Sequence, residues 1–379
     1  MKNLLLLCFT LFSCFAVQAQ LELPPSGGNQ KSKVVQYMGA HAYVKIVYNS
    51  PDVTGPSGED RTGNIWGALV PYGLNNLNFG ISSDDNPSPW RAGANENTRI
   101  TFSHKVRVQG QEIEAGTYGV HFIPRENEDW TLILSNNNNA WGSYFYNPED
   151  DALRVNVTPE KSDFHEWLTY EFTDRQETAC TVAIKWENLA VPFRIELVDP
   201  TGIYVNYLQE AMQSTAGFNW VTRNTAANYC LMNDVNLDEA YEWAKVTAVN
   251  SFMGNENIST LQTKAMLELK LGMEDTAMAT LEQAVNHPAA GIFQIHALGR
   301  QLIAMGFPDE ALQVFEKNMA INGDVWPVRV GMARGYSAVG EFAEAIEHAQ
   351  KALERAPDQL NKDNLTAAIE KLKNKEDIN

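Results

Sequence analysis

From Lys33 to Val198, apolar and polar residues alternate with a period of two. Ile100, Phe102, Val106 and Val108 stand between Arg99, Thr101, Ser103, Lys105 and Arg107, giving an extended segment one apolar and one wet face. Tyr118, Val120 and Phe122 repeat the pattern, as do Trp130, Leu132 and Leu134, then Leu168, Tyr170 and Phe172, then Val182, Ile184 and Trp186. Gln109-Gly110, Ala115-Gly116, Asn127 to Asp129 and the Asn136 to Asn139 run separate them as turns. Many short alternating segments without a helical stretch between them predict an antiparallel β-sandwich or barrel-like domain over residues 33–200. Asp199-Pro200-Thr201-Gly202 closes it.

Beyond residue 200 the period becomes helical and the segments repeat. Gly272, Gly306 and Gly340 lie 34 residues apart, as do Ala277, Ala311 and Ala345, and Leu281, Phe315 and Ala349. Each small residue has a physical reason. The glycine turns the chain between two antiparallel helices, where a Cβ is strained, and the alanines stand where helices press together. Pro357 ends the last copy. A 34-residue unit of this kind is a tetratricopeptide-type repeat. Copies are predicted at about 258–291, 292–325 and 326–359, and a weaker one at 221–254, where Asp238-Glu239-Ala240 matches Asp309-Glu310-Ala311. Asn255 to Asn257 is a three-residue insertion between them. A joining helix at about 203–216 and a capping helix at Leu365 to Leu372 complete an all-α solenoid over residues 203–379.

The chain ahead of both halves reads differently. Lys2, the apolar run Leu4 to Phe12 and Val17-Gln18-Ala19 have the order of a Sec signal peptide over residues 1–19, followed by a flexible segment at 20–32. A periplasmic or secreted protein is expected. Lipoprotein anchoring at Cys14 is the rival reading, disfavoured by bulky Phe12. No later run is apolar and long enough to span a bilayer. The leader holds one Lys and no acidic residue, so its removal takes the formal net charge from −18 to −19. Spread along the chain, that charge disfavours nucleic acid and anionic membranes as partners. Cys180 and Cys230 fall in different domains and read as two separately buried thiols.

In a stack of helical hairpins the first helices line a groove. Register places His296 and Arg300 there, with Val330 and Arg334 in the same slots of the next repeat and Gln262 and Met266 in those of the one before. Two guanidiniums one repeat apart suit a carboxylate or an acidic peptide. The competing reading pairs each arginine with an acidic neighbour on its own surface.

The β half carries Trp90-Arg91-Ala-Gly93-Ala94-Asn95-Glu96, then Ala115-Gly116-Thr117-Tyr118, Ile123-Pro124, Trp130, Trp141-Gly142-Ser-Tyr144, Arg154-Val155 and Trp186-Glu187. Over about residues 30–200 this set resembles a family of exported bacterial proteins known only as a domain of unknown function and often followed by tetratricopeptide repeats. The resemblance implies fold and export but no activity. In that family a Pro-Tyr-Gly turn runs almost directly into Trp-Arg. Here Leu74 to Pro89, with Asp84-Asp85-Asn86-Pro87, separates Pro71-Tyr72-Gly73 from Trp90, which bears on any site built from both flanks.

Trp90, Arg91, Asn95 and Glu96 offer an aromatic platform, a cation and a carboxylate around a glycine turn. With Tyr118, Trp141 and Tyr144 they suit a small ligand such as a sugar or a peptide end. The alternative is an Arg91–Glu96 pair closing a hairpin over core tryptophans. His104 falls on an apolar face and reads as a core histidine, and His41, His121 and His165 share no ligand spacing, so no metal is expected. Asp84-Asp85-Asn86 and Asn147 to Asp151 lack the spacing of a calcium loop and read as solvated turns. No phosphate loop, dinucleotide fingerprint or nucleophile elbow is present, so no cofactor is expected. Two function classes follow. One is an exported binding or scaffolding protein that takes a peptide or protein partner on its repeats. The other is an envelope or polysaccharide-processing enzyme, with Glu96 as acid or base and Arg91 positioning an anion.

Overall fold

The computed structural model describes residues 28–379. The expected signal peptide, Cys14 and the start of the expected flexible segment lie outside the described residues. The chain divides into two compact units after Pro200.

The first unit holds β1 (Gln30–Met38), β2 (Ala42–Ser50), β3 (Arg99–Phe102), β4 (Val106–Val108), β5 (Gln111–Ile113), β6 (Gly116–Ile123), β7 (Trp130–Ser135), β8 (Asp151–Val157), β9 (Glu160–Thr173) and β10 (Ala179–Leu197). They form a six-stranded sheet, order β1-β2-β3-β6-β7-β8, and a four-stranded sheet, order β5-β4-β10-β9. Every pairing between named strands is antiparallel, and neither sheet closes into a barrel. Aromatic residues of the two sheets meet: Phe122 on β6 lies 6.5 Å from Phe193 on β10, and Tyr48 on β2 lies 4.8 Å from Tyr170 on β9.

Two sequence expectations need correction. Residues 30–32 are not flexible, because Gln30 pairs with Ser50 at the end of the β1–β2 hairpin. Nor is Ile100 to Val108 one strand: β3 belongs to the first sheet and β4 to the second. The alternation survives the change of sheet because Ile100, Phe102, Val106 and Val108 are all buried. His104 lies in the bend between the strands, half-buried and bonded to Ser103 Oγ at 2.9 Å, rather than in the core.

Residues 51–98 contain no named strand and are tied to the sheets by single bridges, Asp52 to Trp167 and Trp90 to Phe122. The insertion closes on itself: Asn75 and Ser88 exchange two backbone hydrogen bonds of 2.9 Å. Its acidic run is a solvated turn in which Asp84 accepts from Asn76 at 2.9 Å, and Asn147 caps the short 3-10 turn Pro148–Asp150.

The second unit holds α1 (Pro200–Met212), α2 (Trp220–Asn233), α3 (Leu237–Thr247), α4 (Ile258–Lys270), α5 (Glu274–Asn286), α6 (Ile292–Ala304), α7 (Pro308–Asn322), α8 (Trp326–Ala338), α9 (Phe342–Glu354) and α10 (Gln359–Lys373). The first helices of the three phased repeats begin at Ile258, Ile292 and Trp326, 34 residues apart. Each pairs with the helix after it, and α6 and α8 also pack side by side. Gly272, Gly306 and Gly340 turn the hairpins at φ +74, +85 and +83, with open space where a Cβ would stand, so conformation alone demands glycine there. The weaker repeat makes this turn with left-handed Asp234 (φ 55) and Asn236 (φ 50), residue types that tolerate the conformation. The insertion ends at Asn257, whose side chain caps α4 through the amides of Ser259 and Thr260.

Candidate functional site

Both flanks of the insertion return to one cavity of about 410 Å³ in the β unit. Val70, Pro71 and Asn75 line it from one flank, and Ser88, Trp90 and Arg91 from the other. The Asn75–Ser88 bridge brings them together, and the insertion itself supplies Asn75, Leu77, Ser88 and Pro89 to the wall. Trp90 is fixed because its N–H and C=O bond Phe122 of β6 at 2.8 and 2.9 Å, beside the strand that carries the core.

The segment after Trp90 is pinned by its own backbone. Ala92 is fully buried, and its carbonyl accepts from Tyr170 Oη and Thr98 Oγ1, both at 2.9 Å. Left-handed Ala92 (φ 54) and Asn95 (φ 56) turn the chain between Arg91 and Glu96. This turn separates the two side chains. Arg91 lies over the Tyr144 ring at 4.6 Å, donates to the Asn95 carbonyl at 3.0 Å and lines the cavity. Glu96 accepts from Asn49 Nδ2 at 2.6 Å, faces Lys31 at 3.9 Å and lines a different, smaller hollow. The expected pocket around Arg91 and Glu96 is therefore not assembled, and neither is the alternative Arg91–Glu96 pair.

Other expected members separate too. Asn95 lines the cavity with Arg91, and Tyr144 meets that arginine from the side. Tyr118 is a core residue, packed 6.1 Å from Phe102 with its hydroxyl donating to Glu114 O at 3.0 Å. Trp141 is half-exposed and does not line the cavity. Trp90, Trp130 and Trp186 surround Trp66, with ring centroids 5.5, 5.2 and 5.7 Å from it. Trp130 and Trp186 are buried at 1% exposure, whereas the two tryptophans of the expected site are not in the core: Trp90 is a half-buried wall residue and Trp141 is exposed.

Three cavity residues carried no sequence signal as a group: Asp52, Arg61 and Ser143. Asp52 and Arg61 approach to 3.5 Å, and Arg61 is held by the Asp52 and Val53 carbonyls at 3.1 and 3.2 Å. Ser143 is buried against His121 Nδ1 at 2.9 Å. Burial, and after it the charge of Arg91, pull His121 down to about 3, so its imidazole stays neutral. Trp186 reaches the cavity from a bulge in β10, where the pairing with β9 shifts register on either side of Glu187. Glu187 is left-handed and buried, and its carboxylate accepts the Gly63 amide, fastening the 51–98 segment to the sheet. The buried Trp186 indole N–H has no acceptor.

The helical unit brings His296, Arg300 and Arg334 together. Arg300 on α6 is exposed and forms no ion pair or hydrogen bond among the described residues. Arg334 on α8 is half-buried, and its Nη1 donates to the Ile378 carbonyl at 3.2 Å rather than to a carboxylate. Burial, and after it nearby Arg300, lower the Arg334 pKa, while Asp377 opposes. Burial, then Arg334 and Arg300, pull His296 down to about 4, and its Nδ1 is buried without a partner. Two expected groove residues belong to packing instead. Val330 rests on the Ala352, Ala356 and Leu365 cluster, and Met266 is fully buried. Helical register did not report how deeply each residue sinks between the helices.

Cys180 and Cys230 are free and buried, each thiol pushed up to about 11 by burial. Among the described residues no helix is long and apolar enough to cross a membrane.

Comparison with known proteins places the two units separately. The helical unit is similar to the crystal structure of MamA (18% identical, 40% of this chain and 85% of that chain, TM-score 0.28). It is also similar to a thermophilic TPR protein in Thermus thermophilus (17% identical, 44% and 90%, TM-score 0.30). A tetratricopeptide repeat protein from Parabacteroides merdae is a third (17% identical, 46% and 73%, TM-score 0.29). At these scores the repeat assignment rests on the helices' own spacing and packing. Among the curated proteins none matches this chain. Residues 29–195 match the family described as "Protein of unknown function (DUF2911)", and tetratricopeptide-type repeats follow that stretch in this chain.

Proposed function

We propose that this is an exported binding protein whose helical unit holds a carboxylate-bearing peptide or protein segment on the face shared by α6 and α8. One observation carries the reading. Arg300 and Arg334 are equivalent positions one repeat apart on helices that pack side by side, Arg300 is near enough to help lower the Arg334 pKa, and neither is paired with a carboxylate. Two adjacent guanidiniums repel, so a bound carboxylate relieves that repulsion as well as accepting their hydrogen bonds. Helical-repeat faces are well suited to extended partners. The test compares proteins co-purifying with the full chain and with the Arg300→Ala/Arg334→Ala variant. Loss of the partner set is expected, and an unchanged set sinks the assignment. Export rests on the order of residues 1–19, and N-terminal sequencing of the mature protein tests it.

A second reading concerns the β unit, which would hold a small hydroxylated ligand. The cavity volume falls within the range of small-molecule sites, roughly 300–1,000 Å³. Its wall offers Trp90 as an apolar surface and Asp52 with Arg91 as polar groups, and it includes Trp186, whose buried N–H has no acceptor. Titration of tryptophan fluorescence with mono- and disaccharides tests it. A response that survives Trp186→Phe rules out the indole as the donor.

A further inference from the structure

The Arg334 end of the helical face already carries a peptide segment, and it comes from the same chain. After α10, left-handed Lys375 (φ 58) reverses the backbone, and Glu376 N–H bonds back to the Lys371 carbonyl at 3.0 Å. The chain then runs against α8. The Asp377 carboxylate accepts from buried Ser337 Oγ at 2.6 Å, and the Ile378 N–H donates to the same Ser337 oxygen at 3.1 Å. Arg334 Nη1 donates to the Ile378 carbonyl at 3.2 Å, while Asn379 Nδ2 donates to the Arg334 carbonyl at 3.0 Å. Ile378 rests on the apolar cluster of Ala333, Ala345, Ala349, Ile369 and Leu372. Ser337 thus reads both the acidic side chain and the Ile378 N–H, Arg334 reads the Ile378 carbonyl, and the apolar cluster reads the aliphatic side chain. The hold is shallow, since Asp377 and Asn379 remain exposed and Arg300 is untouched.

We infer that Glu376 to Asn379 is a resident ligand of this face, and that the partner taken there is a segment of the same chemistry, an acidic residue followed by an aliphatic one, which displaces it. This rests on the reading of the α6–α8 face as a binding surface. It adds the motif, the site at Ser337 and Arg334, and the competition. A partner that also supplies a carboxylate to Arg300 gains a charge-assisted contact the resident segment lacks, which favours exchange.

The probe is the free peptide Lys-Glu-Asp-Ile-Asn, titrated at millimolar concentration into isotope-labelled protein. In a chain ending at Lys375, resonances of Arg334 and Ser337 are expected to shift, with apparent affinity at least about tenfold above that of the full chain, whose site is largely occupied. Arg334→Ala in the shortened chain should abolish the response. Asp377→Lys in the full chain places a cation beside Arg334 while keeping Ile378, and should open the site even if shortening proves disruptive. Equal affinity for the full chain and for either opened form, or no binding to either opened form, overturns the inference. If partner capture still depends on Arg300 and Arg334 in that case, the binding surface stands and only the resident ligand is wrong. If the peptide binds as expected but capture ignores both arginines, the wider reading fails instead.

Discussion

The ring of Phe315 on α7 fills the space that a side chain at Gly299 on α6 would need, because a Cβ there would stand 2.5 Å from Phe315 Cε1. The same ring lies close over Gly331 and Gly335 of α8, where added Cβ atoms would stand 2.7 and 2.9 Å from it. In the neighbouring repeats the equivalent residues are Leu281 and Ala349, so three glycines make room for one oversized side chain. Alanine at 299 gains about 1 kcal/mol of helix propensity. Overpacking a rigid buried ring costs about 1–3 kcal/mol, and the clash is expected to win. Gly299→Ala should therefore lower the urea midpoint of the helical unit. Gly299→Ala/Phe315→Leu should recover most of the loss, showing coupling of about 1 kcal/mol or more. Additive effects would mean that the ring is not the obstacle.

Glu268 is fully buried on α4, where Lys264 approaches to 2.8 Å and the Tyr241 hydroxyl donates at 3.2 Å. Lys264 also donates to Thr280 Oγ1 of α5 at 2.8 Å, so the pair ties three helices together. Lys264→Met strands a carboxylate in the core and is expected to cost about 3–5 kcal/mol. Lys264→Met/Glu268→Leu removes both charges and should regain most of it. Urea unfolding with an unchanged slope checks this, and a double variant as unstable as the single one would contradict it.

The repeat was legible because its signals are local. A glycine in the left-handed region and an alanine at a helix contact depend on neighbours a few residues away, and the 34-residue spacing carried them into the correct helices. The β unit was less legible because alternation reports which face of a strand is buried and not which sheet the strand joins. The chain therefore changes sheets between Phe102 and Val106 without breaking the pattern. The cavity depends on still longer range, since Asp52, Trp90, Ser143 and Trp186 meet only through topology and a bulge. Arg91 and Glu96 show the converse. They are close in sequence, yet two left-handed residues between them send the side chains to different hollows.

His121 gives the β unit an acid-sensitive step. Burial, and after it Arg91, lower its pKa to about 3, below the unfolded value of about 6.5. The unfolded chain therefore takes up a proton that the folded unit refuses. The associated stability is fully present above about pH 6.5 and falls with pH towards about 3, by about 1.4 kcal/mol per pH unit. His121→Asn keeps a hydrogen-bonding group near Ser143 but cannot titrate. Between about pH 7 and about pH 5, the wild-type transition should fall more steeply than that of the variant. Parallel slopes would mean that the carboxylates alone set the acid response.

Gly340 and Gly142 both lie in the left-handed region, at φ +83 and +62, but for Gly142 the space is also taken. At Gly340 nothing stands within 4 Å of an added Cβ, so Gly340→Ala should cost only the conformational penalty, about 1–2 kcal/mol. Gly340→Asn should cost less, as Asp234 and Asn236 show by making the equivalent turn in the weaker repeat. An alanine Cβ at 142 would stand 2.3 Å from Arg91 Cζ. The guanidinium is the far end of a flexible side chain and can swing aside, but it then leaves the Tyr144 ring and the Asn95 carbonyl. Those contacts are worth about 1 kcal/mol each. Gly142→Ala is therefore expected to cost about 1–2 kcal/mol more in the wild-type chain than in an Arg91→Ala background, read from denaturant midpoints of the β unit. Equal costs in the two backgrounds would show that Arg91 is not held where Gly142 admits it.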